Sequence, residues 1–384
     1  MRAKLSELGA VITGNTPSKQ EPKYWASSDI PFVKPDVINQ DGITEVQTAN
    51  DYISEMARSK ARIAGKNVVL VTCIGTIGKI CLTGKECAFN QQINAIIPND
   101  KVLPEYLAYC IYYNRPKLIE LANAPVVPII NKRQFEDFSV NIEESIERQG
   151  SIVTILKEVD RLIYYRQKQL QKLDDLVKAR FVELFGAYPH NPMGWKTGTI
   201  RDVVTDVRYG SSRPAVDGGR YPYLRMNNIT YGGELDLSDV KRIDVPENEL
   251  EKCTVRRGDV LFNRTNSKEL VGKTCVYDRD EMMVLAGFVI RVRVNDVVLP
   301  EFLSAFLNTD FSKRTLLGMC KAAIGQANIN AQEMQNIGIY IPPIELQREF
   351  VQFKNQTDKS KAVIQKALDE AQLLFDSLMQ KYFG

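Results

Sequence analysis

The order of motifs in this 384-residue chain occurs twice. "IPFVKPDVIN" at 30–39 is answered by "YPYLRMNNIT" at 221–230, and "LPEYLAYCI" at 103–111 by "LPEFLSAFL" at 299–307. "IINKRQFEDFSV" at 129–140 is answered by "NINAQEMQNIGI" at 328–339, and "VITGNTP" at 11–17, more loosely, by "VRYGSSRP" at 207–214. The order is the same and the offsets stay between 191 and 199 residues. Four pairs in register mark a duplicated domain, so whatever one half folds into the other must also fold into.

Each copy is followed by a helical tract that ends in "FG". In the first, positions 152, 156, 159, 163, 170, 173, 177 and 184 carry Ile, Leu, Val, Ile, Leu, Leu, Val and Leu, a heptad-like seam. The second carries Leu346, Phe350, Phe353, Ile364, Ala367, Ala371, Leu374 and Leu378, with Thr357 and Ser360 interrupting its middle. Within the domains, "NVVLVTCI", "DVLFNRT" and "FVIRVRV" are rich in Val, Ile and Phe and read as strands. "PEYLAYCIYYNRPKLIELA" and "PEFLSAFLNTDFSKRTLL" open with Pro-Glu and read as helices. Neither long helix can bury its apolar stripe alone, and pairing the two is the simplest solution.

The expected fold is therefore α+β. Two similar mixed domains, 1–142 and 187–341, stand at opposite ends of a pair of long antiparallel helices, 143–186 and 342–384, with a pseudo-twofold axis between the halves. A helix of about 40 residues spans ~60 Å, which suits a spacer between two recognition sites.

Composition narrows the chemistry. At 44% hydrophobic and 25% charged residues the chain reads as globular. No segment approaches the ~18 apolar residues of a membrane span, and the start "MRAKLSELGAVITG" lacks the apolar core of a secretory leader. A cytoplasmic protein is expected. The cysteines at 73, 81, 87, 110, 253, 275 and 320 form no C-x-x-C pair, which argues against zinc and against a disulfide framework. With His190 as its one histidine, the chain offers no two-histidine metal site, and the place of that histidine in the linker-like "AYPHNPMGW" argues against a Ser-His-Asp triad. Net charge is +3, so basic surface, if any, is local.

The polar residues of the two copies differ most in the loops, and their types suit DNA: Arg and Lys for phosphates and guanine, Asn and Gln for adenine, Ser and Thr for either. In the first domain the candidates are Asn15, Thr16, Ser18 and Lys19 in "GNTPSK", then Lys34, then Thr76 and Lys79 in "GTIGK". Asn90, Gln91 and Gln92 follow in "FNQQIN", and Asn131, Lys132 and Arg133 in "NKR". In the second they are Tyr209, Ser211, Ser212 and Arg213 in "YGSSR", and Arg225, Asn227 and Asn228 in "RMNN". Arg264, Asn266, Ser267 and Lys268 follow in "RTNSK", then Lys273, Lys321, Gln326 and Asn328. The plainer reading of each alone is a turn residue or a solvated lysine.

"NRTNSKELVGKT" at 263–274 ends like a phosphate-binding loop, but Ser267 stands where that motif requires its first glycine. Its counterpart "TCIGTIGK" in the first copy also lacks that glycine, which favours a strand–turn–strand shared by both domains. A nucleotide hydrolase and a purely structural coiled-coil adaptor are the competing readings.

The layout and several strings resemble the DNA specificity subunit of type I restriction–modification systems. "GNTPSK", "IPFVKPDVIN", "GTIGK" with "FNQQINAI", "GDVLFNRTNSKELVGK" and, most specifically, "GQANINAQEMQNIGIYIPPIELQREF" carry the resemblance. The first copy departs from that closing pattern, with "VVPIINKRQFEDFSVNIEESIERQ". The resemblance implies a non-catalytic chain in which each target recognition domain reads half of a split target in double-stranded DNA. It implies helices that set the spacing and dock two methyltransferase subunits, with restriction subunits joining for cleavage. S-adenosylmethionine, ATP and Mg would belong to those partners, and none to this chain.

Overall fold

The computed structural model describes residues 1–122, 127–320 and 327–384. The fold is α+β, and the chain divides into two compact units: Met1–Lys168 with Ile364–Gly384, and Gln169–Val363.

In the first unit a five-stranded sheet runs in the order Gly9–Thr13, Ile93–Pro98, Val69–Thr72, Ile80–Thr83 and Ile43–Val46. A second sheet has the order Asp51–Ile53, Ile30–Val33, Cys87–Phe89 and Ile63–Ala64. The second unit repeats both orders. Its strands are Val204–Tyr209, Val289–Val294, Val260–Asn263 and Thr274–Val276 in one sheet, and Lys241–Ile243, Tyr221–Leu224, Met283–Leu285 and Thr254–Val255 in the other. Among the described residues the strand Ile43–Val46 belongs to the first copy alone, while the two-stranded ribbon Thr265–Asn266 with Ala327–Asn328 of the second is matched in the first by a single antiparallel bridge, Ile74 to Ile129.

The strand Val69–Thr72 shows why these runs are continuously apolar. Successive side chains leave a strand on opposite faces. Val69 and Val71 enter the core shared with the helices, while Leu70 enters a second core with Cys81 and Phe89. In the second copy Val260 and Phe262 face the helices, and Leu261 packs with Cys275 and Leu285. A strand with apolar layers on both sides has no solvent face to mark with polar residues. All seven cysteines are buried as free thiols.

Each expected "Pro-Glu" helix is in fact two. The first breaks at Asn114, between Pro104–Tyr113 and Arg115–Glu120, because Pro116 lacks the N–H that would continue the ladder. The second breaks after Leu307, where the Thr309 hydroxyl caps a new helix, Asp310–Met319, by accepting from the Ser312 amide.

Both long helices have 40 residues, Ile146–Phe185 and Ile344–Phe383. Within the first unit they run antiparallel. Tyr106 touches the Glu143 amide and the Phe383 ring, while Tyr109 donates to Asp160 at 2.6 Å and meets the Phe375 ring. Within the second unit the sense is the same, since Arg180 pairs with Glu349 and Lys361 with Asp174. No residue of the first seam is exposed, but Val153, Phe181 and Phe185, which lie off it, are buried more deeply than Ile152 and Leu184. The second differs at one place: Phe375 is buried and Leu374 is 49% exposed. Phe375 enters the core with Tyr109, their ring centroids 6.3 Å apart.

One buried residue joins each long helix to its domain. Gln149 accepts from the Leu103 amide at 2.8 Å and donates to the carbonyls of Lys101 at 3.0 Å and Glu143 at 2.7 Å. Gln347 repeats this with the Leu299 amide at 2.8 Å and the carbonyls of Val297 at 3.0 Å and Pro342 at 2.8 Å. Both side chains are fully buried. Gln347→Leu would leave three buried backbone groups unpaired and should cost roughly 2–4 kcal/mol, read from urea unfolding of the full chain. A loss below about 1 kcal/mol would contradict this role.

Candidate nucleic-acid interface

The Gly-Lys pairs do not cradle phosphate. The Gly78 amide donates to the Thr72 carbonyl at 2.9 Å and the Gly272 amide to the Asn263 carbonyl at 2.8 Å, closing the same hairpin in both units. Both glycines have φ of +79°, a conformation that side chains rarely adopt. The ammonium of Lys79 donates to the Pro35 carbonyl and that of Lys273 to the Met226 carbonyl, each at 2.9 Å. Pro35 and Met226 are equivalent positions of the repeat. These lysines therefore brace one strand-end loop against a hairpin. Lys273 is 7% exposed, and burial lowers its pKa.

In the first unit, Thr16, Lys19, Lys34, Asn90 and Gln91 come together around a concavity of about 580 Å³, floored by Trp25 and Phe32. The Thr16 hydroxyl donates to Gln91 at 2.7 Å, and the buried Asn90 donates to Gln92 at 2.8 Å. Lys34 is held by Asp51, which raises its pKa. Lys19 is exposed, and Ser18 beside it caps its own loop by accepting from the Gln20 amide. Thr76 is exposed on the hairpin turn. Lys132 and Arg133 are exposed on another element, the helix Lys132–Asp137, whose N-cap is Asn131. Asn15 bonds the Lys60 carbonyl and the Arg62 amide and so serves the loop itself.

In the second unit the Arg264 guanidinium lies over the Tyr209 ring at 4.9 Å, and the Tyr209 hydroxyl accepts from the Ala331 amide at 2.9 Å. Arg264 makes no ion pair among the described residues, and its Nε is buried without a hydrogen-bond partner. Asn266 and Asn328 lie on the small ribbon beside it, and Ser267 and Lys268 are exposed on the same insert. Ser212 is exposed, whereas Ser211 is buried with its hydroxyl accepting from the Arg213 amide. Arg213 is paired with Glu249 at 2.8 Å, and Arg225 with Asp239 at 2.7 Å. Asn228 is buried, donating to the Asp236 and Asp239 carbonyls, while Asn227 beside it is exposed. Lys321 and Gln326 lie outside the described residues.

Two features escaped the sequence. The carboxylates Asp51, Glu249 and Asp239 hold basic candidates from positions distant in the chain. The strand read as "FVIRVRV" begins at Val289, which leaves Phe288 51% exposed at its mouth. The glycine before Phe288 was the available signal of a turn there.

A sequence profile described as the type I restriction modification DNA specificity domain matches residues 1–174 and again 192–372. The chain belongs to this family. As a specificity subunit of a type I restriction–modification system it is similar to the EcoKI specificity subunit of Escherichia coli strain K12. Identity there is 21% over 410 residues, covering 98% of this chain and 86% of that one. It is also 26% identical over 260 residues to the MjaIX specificity subunit of Methanocaldococcus jannaschii, spanning 62% of this chain and 59% of the relative. The fold is like that of the solved S subunit from M. genitalium, with a TM-score of 0.58 at 12% identity, covering 100% of this chain and 96% of that one. No helix is long and apolar enough to cross a membrane among the described residues.

Beside Lys273, the Lys313 ammonium donates to the Gly272 carbonyl at 2.9 Å. Burial, with Lys273 adding repulsion, lowers its pKa from 10.5 to about 8. Between those values the unfolded chain binds a proton that the folded chain lacks, so raising pH favours folding. Relative to Lys313→Met, the wild type should gain stability from pH 8 to pH 10 in paired urea titrations. Parallel curves would contradict the assignment.

Proposed function

We propose that the domains at 1–142 and 187–341 each read one half of a bipartite target in double-stranded DNA. The helices at 143–186 and 342–384 set the distance between the halves. The observation that supports this best is the contrast between framework and loops. The two copies keep the hairpin, its glycine and its lysine–carbonyl bond, yet put different chemistry beside them: Cys73 against Arg264, Thr13 against Tyr209. A framework held constant under variable polar loops suits two readers of unlike sequences.

Arg264 is the side chain best prepared for base contact in the second domain. It lies over the Tyr209 ring, and among the described residues no carboxylate pairs with it, which leaves its donors for a bidentate contact to guanine. Arg213 and Arg225 are paired at the surface, where such pairs contribute little to stability. A DNA phosphate can replace those carboxylates at little cost.

The chain carries no catalysis in this reading and acts in the cytoplasm. Two methyltransferase subunits dock on the helices, and restriction–translocation subunits join for cleavage. S-adenosylmethionine, ATP and Mg serve those partners. The helices leave Leu162, Tyr164, Val363 and Leu373 half or more exposed, which suits a surface that a partner covers.

Exchanging residues 187–341 for the equivalent domain of another family member should change one half of the methylated sequence and leave the other and the spacing intact. Methylation mapping in cells checks this; change in both halves, or in neither, would sink it. Arg264→Ala should cost ~1–3 kcal/mol of binding at one base-pair position. A uniform loss across sequences with a shallower salt dependence would instead make Arg264 a phosphate contact.

A further inference from the structure

Phe288 is an exposed ring in the middle of a polar face. Isolated apolar residues are common on any protein surface, but this one is mounted. The Gly287 amide donates to the Ser211 carbonyl at 2.7 Å, and the Phe288 carbonyl accepts from the Arg264 amide at 3.0 Å. The Gly210 amide donates to the Val289 carbonyl at 3.2 Å. The backbone is thus tied on one side to the loop carrying Ser211–Arg213 and on the other to the loop carrying Arg264. The side chain remains 51% exposed.

The repeat supplies an independent comparison. In the first copy Gln92 holds the same station, its carbonyl accepting from the Cys73 amide at 2.7 Å as that of Phe288 accepts from Arg264. Two of the three backbone bonds recur there, from the Cys73 amide to Gln92 and from the Gly14 amide to the Ile93 carbonyl at 3.0 Å, while the side chain is exchanged, a half-buried amide that accepts from Asn90 in one domain for an exposed apolar ring in the other. A position that keeps this backbone framework and exposes a different chemistry in the second domain is placed to select sequence.

We propose that Phe288 is a specificity-determining residue of the second domain, seating its ring against the C5-methyl group of a thymine in the major groove. This rests on the reading above, in which the Arg264 face meets DNA. The thymine methyl is the apolar group on base edges in that groove. A cytosine there would instead present its N4 amino donor to a ring that cannot accept it, leaving the donor desolvated and unpaired.

The test uses the full chain assembled with its methyltransferase partners, and duplexes carrying the target mapped in cells. Each thymine of the second half-site is replaced in turn by deoxyuridine, which removes the methyl group alone. At one position wild-type affinity should fall about fourfold, the fold-change of one buried methyl group, while Phe288→Ala should lose nothing further there. Phe288→Leu, which keeps an apolar contact, should retain most of the discrimination. Equal uracil effects in wild type and Phe288→Ala at every position would overturn the proposal, as would a Phe288→Ala loss uniform across sequences, the mark of a wedge between base steps. Arg264→Ala separates the two levels. If it weakens binding and Phe288→Ala does not, the thymine contact alone falls. If neither has an effect, the face itself has been misassigned.

Discussion

A single buried amide recurs where each domain meets its long helix. Gln149 and Gln347 each satisfy one backbone donor and two backbone acceptors, drawn from the turn before the Pro-Glu helix and from the chain entering the long helix. No apolar residue could fill that place without stranding three polar groups, and a charged one would add a buried charge. The bonds are also directional, so they set the angle at which the helix leaves the sheet. In the proposed function, recognition loops would need a reproducible position relative to the helices, and this joint would supply it in both copies.

Much of the architecture was legible because it is periodic or repeated. The duplicated strings marked a repeated domain, and the three-and-four spacing marked two long helices. What the sequence hid was set by contacts between distant residues. Leu374 fits the heptad arithmetic as well as Phe375, and the core that Tyr109 and its neighbours form takes in Phe375. The break at Asn308–Thr309 follows from a cap that a continuous apolar pattern masks. The joint glutamines look like ordinary polar residues at a helix start until the turn that they satisfy is folded over them.

The candidate interface shows the same limit more sharply. Residue type suggested Lys79, Lys273, Ser211 and Asn228 as readily as Lys19, Ser212 and Asn227. The structure engages the first group internally and leaves the second exposed. Pairing with carboxylates divides the arginines again: Arg213 and Arg225 would have to exchange a partner to meet DNA, whereas Arg264 lies over the Tyr209 ring with no ion pair among the described residues. Affinity and discrimination can therefore reside in different residues of one face, since phosphate contacts position a reader and base contacts specify its sequence.

The central claim is that two unlike readers on one chain address two separated half-sites. Sequencing that detects modified bases, applied to DNA from cells carrying this chain with its partners, tests it most directly. The account predicts methylated adenines in one motif of two specific blocks, separated by a fixed number of unspecified base pairs. A contiguous motif, or blocks at variable spacing, would contradict it.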